Sequence, residues 1–232
     1  MNSRMEPGTK TRRNETCFSG HAAGNVIPLV SRARNFIVLT TQRTGSSWLM
    51  DRLDHSPEVE GHMELFRFDV RREPARAGTN DYPDEYPRFV ESRDTQARGR
   101  RPFAVFRYLR EFYSQRRAVG FKLMYSQLRD YPEILPWLVW RRLPIVHLVR
   151  ANHLDVVVSE RLADATGHSH AVEESASTAP VRLDLDPDYV LRKVRKLERQ
   201  QRAMRRLFQA LPNPLLEVTY ETLCNDPRGF DA

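Results

Sequence analysis

Short apolar runs alternate with stretches of helical spacing along most of the chain. The clearest runs each have the length of a buried strand and cover residues 36–41, 119–124, 145–149 and 215–220. Residues 59–66 form a further short extended stretch that ends in a loop. Apolar residues recur at helical spacing in the segments between, which predicts helices over residues 46–55, 103–117, 131–141, 152–165 and 188–210. Strands that alternate with helices indicate a parallel sheet covered on both faces, so we predict an α/β fold.

Two segments lack this alternation. Residues 1–34 are polar and contain six Lys or Arg against two Glu, which predicts a flexible basic N-terminal arm. Residues 69–101 are crowded with charged residues, Pro and Gly, which is typical of a surface insertion. Residues 35–232 are expected to form one domain. Because the chain ends soon after the run at 215–220, this domain is expected to be a short form or to be truncated at its C-terminus.

Composition narrows the class of protein. Apolar residues make up 40% of the chain and charged residues 29%, as in globular proteins. The sequence contains no 18-residue apolar run and no apolar signal segment, so we predict no membrane span and a cytoplasmic location. Its two Cys are far apart and its His residues lack the spacing of a ligand set, so no metal site is predicted. The net charge of +7 favours an anionic partner, either nucleic acid or a polyanionic nucleotide.

A turn rich in hydroxyl groups follows the first predicted strand. Residues 42–49 read Gln-Arg-Thr-Gly-Ser-Ser-Trp-Leu. Gly45 permits a tight turn, the start of the helix supplies free N–H groups, and Arg43 adds a permanent cation. Hydroxyl groups come from Thr44, Ser46 and Ser47. These features predict an anion-binding loop, and the alternative is an ordinary turn with a serine cap. The Gly-Lys-Ser/Thr of a Walker A motif is absent, which disfavours a nucleotide kinase.

A second candidate anion site follows the run at 145–149. Arg150 stands at the end of this strand, and Ser159 lies nine residues later in the next predicted helix. Parallel strands end at one edge of a sheet, so Arg150 is expected near the hydroxyl-rich turn. One guanidinium and one hydroxyl suit a terminal phosphate. A solvated Arg and a surface Ser are the alternative.

The two stretches resemble the donor-binding motifs of sulfotransferases that use 3′-phosphoadenosine 5′-phosphosulfate (PAPS). Residues 43–49 match the 5′-phosphosulfate loop of that family, and residues 147–163 are similar to its 3′-phosphate motif. The gap of nine residues between Arg150 and Ser159 resembles the bacterial carbohydrate branch, which includes nodulation-factor sulfotransferases. The resemblance covers roughly residues 35–228. It implies a P-loop-type three-layer fold with a central parallel sheet flanked by helices.

The resemblance also implies roles for individual residues. The 5′-phosphosulfate would be held by Arg43, Ser46 and Ser47, within a loop that includes Thr44 and Gly45. Trp48 would lie near the adenine, with simple core packing as the alternative. The 3′-phosphate would be held by Arg150 and Ser159.

Sulfuryl transfer further requires a base for the acceptor proton and a cation near the transferred group. Glu64 matches the base of the carbohydrate branch, and His62 is the second candidate because the cytosolic branch uses a His. Lys122 lies inside an apolar run, where a charge is costly without a partner, so it is expected to reach the sulfate. The alternatives are a surface carboxylate for Glu64 and an outward Lys122 on an edge strand. Gln127 is a further candidate for orienting the acceptor.

We therefore predict a sulfotransferase that uses PAPS, without a metal, on a hydroxyl of a carbohydrate, lipid or other small molecule. One alternative is a P-loop-type nucleotide phosphotransferase. The other is a non-catalytic polyanion-binding module that uses the basic arm and the helix at 188–210. Aromatic residues are not interleaved with the basic ones, so no nucleic-acid partner is expected. The variable segments 69–101 and 166–186 are expected to form the acceptor site.

Overall fold

A computed structural model describes residues 35–55, 57, 59–67, 86, 101–114, 118–166 and 182–225. The predicted N-terminal arm, most of the predicted insertion and most of the variable segment at 166–186 lie outside the described residues. The final segment, residues 226–232, also lies outside them.

The described chain contains one sheet of five parallel strands. These are β1 (Asn35–Thr40), β2 (Val59–Glu64), β3 (Ala118–Met124), β4 (Ile145–Val149) and β5 (Leu215–Thr219). Their order across the sheet is β2-β3-β1-β4-β5, and every neighbouring pair is parallel. The four predicted strands are confirmed. The extended stretch at 59–66 proves to be a fifth, edge strand.

Helices occupy the segments between the strands. They are α1 (Ser46–Asp54), α2 (Arg101–Phe112), α3 (Tyr125–Asp130), α4 (Ile134–Arg141), α5 (His153–Thr166), α6 (Pro187–Gln209) and α7 (Tyr220–Asn225). The predicted helix at 131–141 begins only at Ile134, because Tyr131 has φ −126° and ψ 65°, outside the helical region. Helix α3 was not predicted, since six residues are too short to show a helical period. Within the described chain, no helix has the length and apolar character needed to cross a bilayer.

Two apolar clusters cover the two faces of the sheet. The α1 face includes Phe36 and Val38 of β1, which pack with Leu49 and Leu53 of α1. The opposite face, which we call the α2 face, is lined by alternate strand residues and by the residues of α2, α4 and the end of α6, and it includes Ile37, Leu39, Leu109, Phe121, Leu138 and Phe208. Burial on both faces explains why β1 reads as an unbroken apolar run. Tyr86, from the predicted insertion, is buried on the α2 face with its ring 5.2 Å from that of Phe66.

Candidate functional site

The turn between β1 and α1 has an unusual backbone. Arg43 has φ 60° and Gly45 has φ 79°, both in the left-handed region. A Cβ at Gly45 would lie 2.4 Å from Cδ2 of Tyr220, so space as well as conformation demands glycine there. Because α1 begins at Ser46, the first N–H groups of this helix have no partner within the helix and point toward the turn. The backbone therefore has the form expected of an anion-binding loop.

The three hydroxyl groups of the loop differ in their surroundings. The Thr44 hydroxyl lies 2.5 Å from that of Thr40 and donates to the Thr41 carbonyl at 3.0 Å. Thr44 is buried, and its side chain holds the turn instead of facing an anion. Ser46 is buried at the start of α1, whereas Ser47 is half-buried and lies beside Lys122. The Thr44 hydroxyl is thus engaged within the turn, and the anion-binding roles of Thr44, Ser46 and Ser47 stay predictions.

Trp48 lies partly buried on α1. It packs against the apolar cluster of the α1 face, and the guanidinium of Arg52 lies 5.8 Å from its ring. Core packing accounts for part of this environment. Its predicted place near an adenine stays a prediction.

Arg43 joins the two predicted anion sites. Its Nε donates to the Ser159 hydroxyl at 2.9 Å, and its carbonyl accepts a hydrogen bond from Arg150 Nη1 at 3.3 Å. The first turn, the end of β4 and helix α5 therefore meet at one place. In this arrangement the Arg43 side chain lies at the second site, although the sequence placed it at the first.

The guanidinium of Arg150 is fixed on several sides. Its Nη2 donates to Asp155 at 3.2 Å, and its carbon lies 4.7 Å from the centre of the Tyr220 ring. Its Nε is buried and has no hydrogen-bond partner among the described residues. An unsatisfied guanidinium N–H is costly to bury, so this atom marks a place where an anionic acceptor group would be stabilised.

Sequence reasoning missed Tyr220 and Glu221. Tyr220 packs on Gly45 and stacks on Arg150, so one ring contacts both sites. Glu221 accepts hydrogen bonds from the N–H groups of Ala151 and Asn152 at 3.0 and 3.1 Å, which fixes the turn into α5. Partial burial raises the pKa of Glu221, but the backbone hydrogen bonds and the nearby Arg150 charge together outweigh burial and hold that pKa below its usual range. The sequence did contain a signal for these two residues. Tyr220 and Glu221 directly follow β5, at the edge of the sheet where the other strands also end.

The buried Lys122 and the partly buried Glu64 form an ion pair beside the loop. Lys122 Nζ lies 3.0 Å from Glu64 Oε1 and 3.4 Å from the Ser47 hydroxyl. The other oxygen of Glu64 accepts a hydrogen bond from Gln127 Nε2 at 2.7 Å. Strand β3 lies between β2 and β1, and the Lys122 side chain is only 8% exposed, so an outward Lys on an edge strand is excluded. Lys122 has the partner that its place in an apolar run requires.

A β-bulge aims Glu64 at Lys122. His62 pairs with Phe121, but the next pair along β2 and β3 is Glu64 with Lys122, so Met63 is an extra residue. Simple alternation would place Glu64 on the same face as His62. The extra residue instead places it on the α1 face, together with the loop.

His62 lies on the α2 face. Its ring packs edge-on against Phe112 at 5.2 Å, its Nε2 is 2.9 Å from Glu60 Oε1, and it is 3% exposed. Burial lowers the pKa of His62, against the opposite influence of Glu60. The structure therefore brings Glu64 to the loop and leaves His62 behind the sheet.

These contacts define an α/β protein with a loop that has the form of an anion-binding loop, together with two arginines and a Lys–Glu pair, at the carboxyl edge of its parallel strands. The sequence model of the sulfotransferase family matches residues 35–230, and the chain belongs to this family. The predicted family is thereby confirmed, and the chain is accordingly a transferase. Its place in the bacterial carbohydrate branch stays a prediction.

Among solved structures, the chain is similar to the sulfotransferase domain from the curacin biosynthetic pathway. The two are 17% identical over 84% of this chain and 70% of that chain, with a TM-score of 0.41. No curated protein matches the sequence. The described residues contain no group of three His, Cys, Asp or Glu side chains that could hold a metal ion, and the expectation of metal-free chemistry stays a prediction.

Proposed function

We propose that this protein transfers a sulfuryl group from PAPS to a hydroxyl of a carbohydrate, lipid or other small-molecule acceptor. The observation that carries the proposal is the meeting of two sites at one sheet edge. Arg43 and Arg150 form a cationic cluster with the Ser159 hydroxyl beside them. The Lys122–Glu64 pair lies on the other side of the loop. The cluster suits the charge of a nucleotide donor, and the pair suits the group that is transferred.

The described residues fit PAPS as the donor. The buried Nε of Arg150 lacks a partner within the described chain, and a 3′-phosphate oxygen is a suitable acceptor for it. Ser159 and the Arg43 guanidinium that donates to it would bind the same phosphate, while Ser46, Ser47 and the free N–H groups of α1 would hold the 5′-phosphosulfate. The half-buried Trp48 would lie near the adenine. When bound, PAPS supplies the sulfuryl group and a nucleotide leaving group.

Glu64 is the proposed general base. Lys122 and Gln127 each hold one of its oxygens, which fixes the direction of the carboxylate. The acceptor oxygen forms its bond to sulfur as its proton passes to Glu64, and the sulfur–oxygen bond to the nucleotide breaks. Lys122 lies between Glu64 and Ser47, where its charge would oppose the negative charge of the transferred group. His62 is not proposed as the base, because its ring faces α2.

A transfer assay with labelled PAPS and a panel of hydroxyl acceptors tests this proposal. Glu64→Gln keeps the shape of the side chain and removes its basicity, so turnover should fall by roughly 10²- to 10⁴-fold. The affinity for PAPS should change little, because Glu64 faces the acceptor side. Glu60→Gln is the matched control, since it removes a carboxylate from the same strand but on the other face, and its turnover should stay near that of the wild type.

Two results would contradict the proposal. Normal turnover in Glu64→Gln, together with an inactive His62→Ala, would move the base to His62. Failure of the folded wild-type protein to bind PAPS would remove the donor assignment itself.

A further inference from the structure

Helix α6 carries most of the net charge of the chain. Its 23 residues, from Pro187 to Gln209, contain eight Lys or Arg and two acidic residues. The helix therefore has a net charge of +6, against +7 for the whole chain. The charges of the rest of the chain nearly cancel. The excess positive charge of the described protein is therefore concentrated on the surface of α6.

The basic side chains of α6 are concentrated on its outer face. Six exposed residues, which we call the basic stripe, are Arg192, Arg195, Lys196, Arg199, Arg202 and Arg206. At 3.6 residues per turn these positions fall within an arc of about 120° and extend over about 21 Å. Met204 and Phe208 lie on the other side of the helix and Leu207 lies at the flank of the stripe, and all three pack against the apolar cluster of the α2 face. The stripe is thus a straight row of cations that the fold holds toward solvent.

The charges of the stripe are mostly not neutralised by the protein. Arg202 pairs with Glu198 at 3.0 Å and Arg192 lies 3.7 Å from Asp186. The other four members make no ion pair with any described residue.

The two basic residues of α6 outside the stripe behave differently. Lys193 pairs with Glu160 of α5 at 2.9 Å, and Arg205 pairs with Glu217 of β5 at 2.6 Å. These two cations attach the helix to the protein, which leaves the stripe available for a partner.

We infer that the basic stripe is a docking surface for an anionic lipid bilayer. A bilayer presents headgroups along a plane, so every member of a straight stripe can approach an anion at the same time, and clusters of four to eight Lys or Arg on a helix are typical of such binding. Leu191 stands 51% exposed beside the stripe, where it can enter the interface. The inference does not depend on the proposed transferase function.

A nucleic acid fits the same surface less well. Binding of single strands relies on aromatic side chains among the cations, and the exposed aromatic residues of the described chain, Phe103 and Trp140, lie on α2 and α4. A duplex is a curved cylinder with phosphates on helical tracks, so a straight row of about 21 Å contacts few of them at once. The geometry therefore favours a flat anionic surface.

Sedimentation with vesicles tests the inference. Vesicles of phosphatidylcholine alone are compared with vesicles that also contain phosphatidylglycerol, at low and at high salt. The full chain should bind only the anionic vesicles and should dissociate at high salt, because screening weakens exposed charges. Arg195→Gln with Arg199→Gln should weaken binding roughly 25-fold, since each basic residue contributes roughly fivefold. Arg107→Gln with Arg110→Gln removes the same charge from α2 and should leave binding near the wild-type value.

Three outcomes would overturn the inference. Equal weakening by both double variants would show attraction to net charge alone. Binding of the full chain to neutral vesicles at the same level would remove the role of the cations. Binding of duplex DNA that depends on Arg195 and Arg199, with no binding to anionic vesicles, would assign the stripe to nucleic acid.

Discussion

At the scale of single residues, the proposed base depends on its neighbours more than on its own position. Glu64 is held by Lys122 through one oxygen and by Gln127 through the other. Gln127 is in turn fixed, because its Oε1 accepts a hydrogen bond from the Met124 N–H at 3.1 Å where α3 begins. A side chain held on both sides needs little rearrangement before it accepts a proton.

Gln127→Met should therefore lower turnover without weakening the binding of PAPS. The change removes the hydrogen bond to Glu64, and a bond to a charged group is worth about 1.5–3 kcal/mol, so turnover should fall at least roughly tenfold. The free energy of unfolding should also fall by about 1–3 kcal/mol, because the buried Met124 N–H loses its acceptor. Ser126→Ala, at an exposed position of the same helix, is the control. Unchanged turnover in a folded Gln127→Met would show that Gln127 does not position the base.

At the scale of elements, the extra residue in β2 decides which face Glu64 joins. Met63 has no partner of its own in β3, and Glu64 lies opposite Lys122 as a result. The bulge thereby connects an edge strand with the loop after β1, two strands away.

Inserting one alanine between Met63 and Glu64 should abolish this connection. A shift of one residue turns a strand side chain to the other face, so the inserted chain should be as inactive as Glu64→Gln. Its donor affinity should stay near the wild-type value. An alanine inserted after Arg67, beyond the strand, is the matched control. Full turnover in the first insertion would show that the face of Glu64 is irrelevant.

Much of the fold could be predicted from the sequence, and particular contacts could not. Strands β1, β3 and β4 are buried on both faces, which leaves a continuous apolar run that is easy to recognise. The loop and Arg150 directly follow such strands, so their place at the carboxyl edge of the sheet could be predicted. The bulge at Met63 leaves no mark in the pattern. The hydrogen bond between Arg43 and Ser159 joins residues 116 positions apart, and sequence spacing does not determine such a contact.

At the scale of the whole molecule, buried ionisable groups make stability depend on pH. His147 is fully buried, with Nε2 2.6 Å from the Tyr125 hydroxyl and Nδ1 3.0 Å from Glu217. Arg205 continues this chain of contacts to the surface. Burial lowers the pKa of His147 and of His62, while Glu217 and Glu60 respectively act in the opposite direction. The fold thus favours the neutral form of both rings.

The free energy of unfolding should consequently fall as the pH drops below about 6.5. The unfolded chain binds protons at these two His residues while the folded chain does not, and each contributes up to about 1.4 kcal/mol per pH unit. Urea denaturation at a series of pH values measures the slope. His62→Gln should reduce the slope relative to the wild type, and an identical slope would show that His62 is protonated in the folded state.

The Arg150 site should select a nucleotide with a 3′-phosphate, and calorimetry measures this selectivity most directly. The wild-type protein should bind 3′-phosphoadenosine 5′-phosphate more tightly than adenosine 5′-phosphate. Arg150→Ala should reduce this preference by about 10- to 100-fold, because it removes a charged hydrogen-bond donor, while Arg110→Ala on α2 should leave it unchanged. Equal affinity of the wild type for the two nucleotides, or an undiminished preference in Arg150→Ala, would contradict a 3′-phosphate site at Arg150.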